Sequence, residues 1–325
     1  MVSTPTTGPV ATRGVRDGAG RPTRPRPRRR GLLSYWRQYL AISPFYLVFT
    51  GFALIPVIFT LYIGFQRWDG LGSMQFVGLQ QFRFLVKDPT FWLAVENTIV
   101  IWALATFPML FVSLVLAVMI NSVTRLAGLY RVAYFIPNVT SLVAVAIFFF
   151  AIFSNQFGIV NAGLRALHLS EVPWLSNFWT VKIVIALLMT WQWTGYNMLI
   201  YLAGLQAIPS ELYEAAKIDG ASALQAFFRI TIPLLRPVIL FTLIVSTVTG
   251  LQSFTEPQVI FGSTAATNPD SGGPGQAGMT LMLYFYNQAF DNHDYGYGAA
   301  IVWALFLRIM VFVVINWRVV SRRED

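Results

Sequence analysis

The chain has 325 residues, of which 56% are hydrophobic and only 11% are charged. A soluble globular protein carries about 25% charged residues, so this composition predicts an integral membrane protein. Cysteine is absent and only two histidines are present, which excludes disulfides, thiolate chemistry and a multi-histidine metal site. The net charge of +9 does not indicate nucleic acid binding, because it is concentrated in the arginine-rich first 37 residues.

Residues 1–37 are rich in Pro, Gly, Thr and Arg and show no apolar period, which predicts a disordered basic tail. Its arginines favour a cytoplasmic N-terminus by the positive-inside rule. Contact with anionic lipid headgroups is a second interpretation of the same charge. Residues 38–325 then form the predicted membrane domain.

Six apolar runs follow the tail, each near the ~20 residues that a helix needs to cross a bilayer. We place the spans at residues 42–66, 93–120, 133–155, 180–205, 234–256 and 296–319. The predicted fold class is therefore all-α, with six transmembrane helices. Arg131 after the second span and Arg318 at the end of the last favour cytoplasmic locations for both termini. We expect residues 257–295 to form an extracytoplasmic loop, including the glycine-rich stretch 262–278.

A charged stretch, residues 208–233, separates the fourth and fifth apolar runs and is predicted to be cytoplasmic. Ser210 is the expected N-cap of a short helix, and Gly220 suits the left-handed position that ends it. Ser222 begins a second helix, with Gln225 at the spacing of a capping box. Two helices joined at a glycine would suit a cleft in another protein, although a plain loop between spans is the alternative.

This stretch resembles the EAA loop of binding-protein-dependent ABC importer permeases. The pattern E-A-A-x3-G-x9-I-x-L-P is matched at full spacing, with Ile232 in the place of the leucine. The residues to which the resemblance assigns contact with an ATPase are Glu214, Ala215, Ala216, Asp219, Gly220, Ile230 and Pro233. Flanking residues, including 202–206, look like the carbohydrate-uptake branch, related to maltose, glycerol-3-phosphate and trehalose permeases.

The resemblance implies a type I ABC importer permease of the bacterial cytoplasmic membrane, with the loop acting as a coupling helix. It implies four kinds of partner besides the lipid bilayer: a second homologous permease, two ATPase subunits, an extracytoplasmic solute-binding protein and a carbohydrate. A di- or oligosaccharide is expected, with polyols and glycerol-3-phosphate less favoured. ATP and Mg are expected on the ATPase, since none of the three lysines has the Gly-Lys-Ser/Thr context of a phosphate loop.

A sugar pathway needs aromatic faces for the rings and hydrogen-bonding groups for the hydroxyls. In the fourth and fifth spans, side chains of these types recur at spacings that place each set on one helical face. The predicted pathway residues are Trp193, Tyr196, Asn197, Thr249, Gln252 and Glu256, with Asn138 of the third span as a lesser candidate. Aromatic anchors at the membrane interface and polar contacts between helices are the competing interpretation.

Arg308 lies near the middle of the last span, where a charge is costly and usually faces a cavity or a partner. Its role is unassigned, and Glu256 is a possible partner. The alternative function is a carrier driven by an ion gradient, for which only Glu96, Glu256 and Arg308 are plausible intramembrane groups. A membrane-embedded enzyme is not expected, because the sequence contains no recognisable catalytic set.

Overall fold

The computed structural model describes residues 36–122, 126–261 and 272–321. Residues 1–35 of the predicted basic tail lie outside this description. The described chain is almost entirely helical, and its residues fall into two compact units, 36–55 and 56–321.

In the first unit, α1 (Trp36–Phe49) is followed by a π-helical turn, Thr50–Leu54. Both carry large exposed apolar side chains, such as Phe45, Leu47 and Phe52. Apolar side chains around a helix of this kind suit contact with lipid. A candidate membrane span runs over Tyr39–Ile63, in agreement with the first predicted span.

The remaining elements follow in chain order. The helices are α2 (Ile55–Ile63), α3 (Gln80–Lys87), α4 (Pro89–Ser122), α5 (Ala127–Val139), α6 (Leu142–Ile152), α7 (Ile159–Ala166), α8 (Phe178–Gln206), α9 (Ser210–Ile218), α10 (Ala223–Ala226), α11 (Ile232–Gly250), α12 (Thr255–Phe261), α13 (Leu281–Tyr286) and α14 (Tyr295–Ser321). Strands β1 (Gln66–Arg67) and β2 (Gln75–Phe76) pair antiparallel, with Gln66 opposite Phe76. Two further π-helical turns occupy Phe227–Thr231 and Asn287–Asp291, and a 3-10 turn occupies Pro274–Gln276.

Within the described residues, five helical stretches are long and apolar enough to cross a membrane. They are Tyr39–Ile63, Pro89–Ser122, Phe178–Gln206, Ala223–Phe261 and Tyr295–Val314, and they overlap five of the six predicted spans. The third span, predicted as one helix over residues 133–155, is instead α5 and α6 with a bend of 91° between them. The reason is local: Thr140 is extended, and its hydroxyl donates to the carbonyl of Pro137 at 2.7 Å, which ends α5.

The long helices α4 and α8 form the centre of the second unit. Side chains of α4 contribute to all three buried apolar clusters, and those of α8 contribute to two of them. Polar side chains also join the two helices, as is common between membrane helices. The hydroxyl of Ser113 donates to the carbonyl of Thr194 at 2.8 Å, and that of Thr190 donates to the carbonyl of Ala105 at 3.2 Å. These contacts fix the face of α8 on which the predicted pathway residues lie.

Residues 272–280, which we expected to be part of an external loop, are largely buried. The amide of Asn97 donates to the carbonyls of Gln276 (2.7 Å) and Met279 (3.1 Å), and the hydroxyl of Thr280 donates to the carbonyl of Ser253 (2.8 Å). Buried backbone carbonyls of irregular segments require such internal partners. The described part of residues 257–295 is therefore partly helical, since it includes most of α12 and all of α13, and its extracytoplasmic location stays a prediction. Residues 262–271 lie outside the described chain.

Asp88, between α3 and α4, joins three helices. Its carboxylate accepts hydrogen bonds from the hydroxyls of Tyr284 in α13 and Tyr297 in α14, and from the N–H of Thr90 at 2.9 Å. Because Asp88 is buried, we expect Asp88→Ala to leave two tyrosine hydroxyls without an acceptor and to destabilise the protein by about 2 kcal/mol. The melting temperature of the detergent-purified protein measures this. Asp88→Asn keeps one acceptor oxygen and should lose less; equal melting temperatures for Asp88→Ala and the wild type would contradict the role of Asp88.

Candidate functional site

A cavity of about 400 Å³ lies among α4, α6, α8, α11 and α12. On one side α4 contributes Thr106 and Met109, and α6 contributes Leu142. The opposite side consists of the end of α11, residues 252–254 and the start of α12, and it carries the polar side chains of Ser246, Thr249, Gln252, Ser253, Thr255 and Glu256. The cavity therefore combines an apolar and aromatic wall with a polar wall.

Six of the seven predicted pathway residues line this cavity. They are Trp193, Tyr196, Asn197, Thr249, Gln252 and Glu256. Asn138 is not among the lining residues; it is half-buried in the last turn of α5, before the bend to α6. The chain bends by 91° between α5 and α6, so Asn138 lies on a different helix from Leu142, the residue of this region that lines the cavity.

The polar wall is built from two helices and the break between them, and not from one continuous helix as predicted. Thr249, Gln252 and Glu256 were expected on one face of a continuous helix, but α11 ends at Gly250 and Glu256 belongs to α12. The carbonyl of Ser253, freed by the break, accepts from the hydroxyl of Thr280 at 2.8 Å. The single-face prediction was wrong, although the three side chains still border one cavity.

The aromatic wall is formed by Trp193 and Tyr196 of α8. Their ring centroids lie 5.9 Å apart with the planes almost perpendicular, at 88°. Asn197 is buried beside them, and its amide donates to the carbonyl of Trp193 at 3.1 Å. Trp191 points elsewhere, as the helical spacing predicts, and contacts Phe149 with 5.8 Å between ring centroids. One face of α8 therefore presents two aromatic rings and an amide to the cavity.

Several lining residues were missed at the sequence level. Ser246 and Ser253 lie on the polar wall, and Thr106 and Met109 lie on α4. Ser246 is three residues before Thr249, so the helical spacing that singled out Thr249 could have found it as well. The α4 residues carried no such signal, because they lie in an apolar span and reach the cavity only through its packing against α8.

Arg308 does not pair with Glu256, so that suggestion was wrong. Its guanidinium carbon lies 5.8 Å from the centroid of the Trp92 ring, a cation–π contact between α14 and α4. Among the described residues the only ion pair joins Arg165 to Glu171 at 2.9 Å. Likewise, residues 36–122, 126–261 and 272–321 contain no cluster of three or more His, Asp or Glu side chains that could hold a metal ion.

The second candidate site is the pair of short helices α9 and α10. Gly220 has a φ of +77°, and the N–H of Ala221 donates to the carbonyl of Ala216 at 2.9 Å, as in a Schellman motif. Ser222 and Gln225 form the predicted capping box, with hydrogen bonds of 2.8 and 3.3 Å. Ser210 is not the N-cap: that position is occupied by Pro209, and α9 begins at Ser210.

The residues assigned to ATPase contact are mostly accessible. Those that are exposed are Glu214, Ala215, Asp219, Gly220 and Pro233, while Ala216 and Ile230 are half-buried. Three large apolar side chains, Ile218, Leu224 and Phe228, are exposed beside them, and Ile218 is 86% exposed. We call these three residues the coupling patch. Such a patch rimmed by charged residues is typical of an interaction surface.

A hydrogen bond links α9 to the helix that borders the cavity. The hydroxyl groups of Tyr213 in α9 and Thr231 in the π-helical turn lie 2.9 Å apart. Thr231 is buried and directly precedes α11, whose other end lines the cavity. This contact therefore joins α9 to the start of α11.

Comparison with known proteins places the chain in a family. Residues 109–323 match the model of the binding-protein-dependent transport system inner membrane component. The lactose transport system permease protein LacF of Rhizobium radiobacter is 36% identical over 88% of this chain and 94% of its own length. The arabinooligosaccharides transport system permease protein AraP of Bacillus subtilis (strain 168) is 37% identical over 86% of each.

The fold is also that of a solved transporter. The structure of a bacterial alginate ABC transporter, in complex with an alginate pentasaccharide-bound periplasmic protein, superposes with a TM-score of 0.73. The alignment is 22% identical and covers 88% of this chain and 94% of that chain. The predicted helical permease fold is thereby confirmed. The chain belongs to the binding-protein-dependent transport system inner membrane components, as a multi-pass permease subunit of an ABC importer.

Proposed function

We propose that the cavity is the site through which a di- or oligosaccharide passes. The observation that carries this proposal is its lining, in which Trp193 and Tyr196 face a wall of hydroxyl, amide and carboxyl groups. Sugar rings present C–H faces that suit aromatic side chains, and their hydroxyls both donate and accept hydrogen bonds. A volume of about 400 Å³ falls within the ~300–1,000 Å³ usual for small-molecule sites.

The relatives support the substrate class. Two of them, at 36% and 37% identity, are permease proteins for lactose and for arabinooligosaccharides. Both names describe uncharged sugars of two or more units. Sugar transport also explains why the aromatic pair and the polar wall border the same cavity. Contacts between helices alone would not require them to do so.

The proposed assembly contains this chain, a second homologous permease, two ATPase subunits and an extracytoplasmic solute-binding protein. The chain binds no cofactor; ATP and Mg are held by the ATPases. Arginines near the helix ends support a cytoplasmic location for both termini and for residues 208–233. The coupling patch then seats in the ATPase, and closure of the ATPases on ATP displaces α9. Because ATP binds the two states with different affinity, it shifts the bundle between inward- and outward-open forms.

The proposal is tested by comparing two tryptophans of α8. Trp193→Ala removes an aromatic ring from the cavity and is expected to lower uptake of lactose or arabinobiose about tenfold, since an aromatic contact contributes about 1 kcal/mol or more. Trp191→Ala removes a ring that faces away from the cavity and should keep uptake within about twofold. Uptake is measured in proteoliposomes containing the whole assembly.

Equal uptake by the wild type and the Trp193→Ala variant, at matched protein levels, would contradict the assignment of the cavity. Uptake that persists without ATP but requires an ion gradient would instead support the carrier considered above. The Trp191→Ala variant controls for a general loss of packing in α8.

A further inference from the structure

The lining of the cavity holds one carboxyl group and no basic side chain. Of its described residues, Glu256 is the only Asp, Glu, Lys, Arg or His. Glu256 is 5% exposed, and it forms no ion pair within the described part of the chain. The nearby helices do contain basic groups, but these point elsewhere. The ammonium of Lys182 lies 3.8 Å from the centroid of the Phe178 ring, and Arg308 contacts Trp92.

The surroundings of Glu256 suit a ligand with hydroxyl groups. Ser253, in the break between α11 and α12 three residues before Glu256, is buried, and its Oγ has no hydrogen-bond partner among the described residues. Gln252 is exposed on the same wall. A buried hydroxyl without a partner is uncommon in a folded protein and calls for a ligand or water at that position. The carboxyl group of Glu256 can accept hydrogen bonds from the hydroxyls of a sugar.

The same lining is unfavourable for an anion. A carboxylate or phosphate brought into the cavity would lose its hydration and would meet the carboxyl of Glu256, with no cation from this chain to compensate. An uncompensated buried charge costs far more than an unpaired hydroxyl. A neutral sugar avoids this cost and gains the hydrogen bonds.

We propose that Glu256 determines specificity, so that the passage accepts uncharged sugars and rejects sugar acids and sugar phosphates. This inference rests on the proposed function of the cavity and adds the charge of its substrate. Glu256 is thus a selectivity residue on the polar wall of the cavity.

The experiment compares two ligands of the same shape. Lactitol and lactobionate are open-chain derivatives of lactose that differ only in a CH2OH or a carboxylate at one end. Their affinities for the assembled permeases and ATPases in nanodiscs, without the solute-binding protein, are measured by saturation-transfer NMR. We expect the wild type to bind lactitol at least tenfold more tightly than lactobionate. The Glu256→Gln variant should bind lactobionate more tightly, so that the ratio falls below about threefold. The corresponding alcohol and acid of arabinobiose are tested in the same way.

Two further variants keep the test decisive. Glu96→Gln removes an exposed acid of α4 that is not part of the lining, so it should leave the ratio unchanged. Thr249→Lys adds a cation at an exposed position of the lining and should reverse the preference, even if Glu256→Gln does not assemble. Equal binding of alcohol and acid by the wild type would overturn the role of Glu256 while leaving the sugar passage intact. Binding of neither alcohol would instead contradict the proposed function itself.

Discussion

Gly195→Ala is expected to abolish most of the sugar uptake and to lower the melting temperature of the protein. A methyl group at residue 195 would overlap the backbone carbonyl of Tyr134 in α5 and would lie 3.2 Å from the N of Phe135. Backbone atoms cannot move aside by a rotamer change, so α5 and α8 must separate. Overpacking of this kind costs about 1–3 kcal/mol, occasionally more, and it exceeds the gain of up to about 1 kcal/mol in helix propensity.

The separation of α5 from α8 should affect transport more than stability. Residue 195 lies between Trp193 and Tyr196 in the sequence, so a shift of α8 here moves both of these cavity side chains. We expect uptake to fall more than tenfold at equal expression. Gly128→Ala in α5 is the matched control. There the added methyl would meet no atom within 4 Å. A Gly195→Ala variant with wild-type melting temperature and uptake would show that α5 and α8 are not in close contact in the working transporter.

Much of the fold was predictable because a bilayer imposes a simple rule on sequence. Apolar runs of about 20 residues cross it, and five of the six predicted runs overlap helical stretches of sufficient length and hydropathy. The bend at residues 140–141 was not predictable by that rule. The hydropathy of residues 133–155 gives no sign that the hydroxyl of Thr140 bonds to the carbonyl of Pro137 and ends α5. The burial of residues 272–280 depends on Asn97, about 180 residues earlier in the chain. The sequence around Gly272 and Gly273 contains no pattern that would predict a hydrogen bond to Asn97.

The cavity was predictable where helical geometry is regular. On α8, the spacing of Trp193, Tyr196 and Asn197 was sufficient, because the helix is continuous from Phe178 to Gln206. On the other wall, Glu256 was found through a periodicity that the structure interrupts at Gly250. The partner of Arg308 could not be inferred from the sequence. A buried guanidinium can contact either a carboxylate or the face of an aromatic ring, and the sequence does not show which of these is near Arg308.

The corner between α9 and α10 was predictable because it is local. The left-handed glycine and the capping box are defined by residues within six positions of one another. Their interaction with an ATPase is a different question, since it depends on a surface that this chain does not contain. That interaction is tested at Gly220.

If the proposed assembly is correct, Gly220→Val is expected to uncouple the permease from the ATPase subunits. Gly220 has a φ of +77°, a conformation that costs an ordinary residue about 1–2 kcal/mol and a β-branched residue more. A Cβ at residue 220 would meet no atom within 4 Å, so the strain lies in the backbone alone. Relief of that strain would break the bond between Ala221 and Ala216 and turn α9 away from α10. We expect ATPase subunits to co-purify about tenfold less and uptake to fall in proportion.

The matched control is Gly220→Asn, because asparagine tolerates the left-handed conformation and should retain most of the co-purification. A second variant, Ile218→Asp, leaves the backbone unchanged and places a charge in the coupling patch at a residue that is 86% exposed. It should weaken ATPase binding without lowering the melting temperature, whereas Leu167→Asp, at an exposed apolar residue between α7 and α8, should not affect ATPase binding. Full co-purification with both Gly220→Val and Ile218→Asp would mean that the ATPase contacts another surface, and α9 would then be only a connection between two spans.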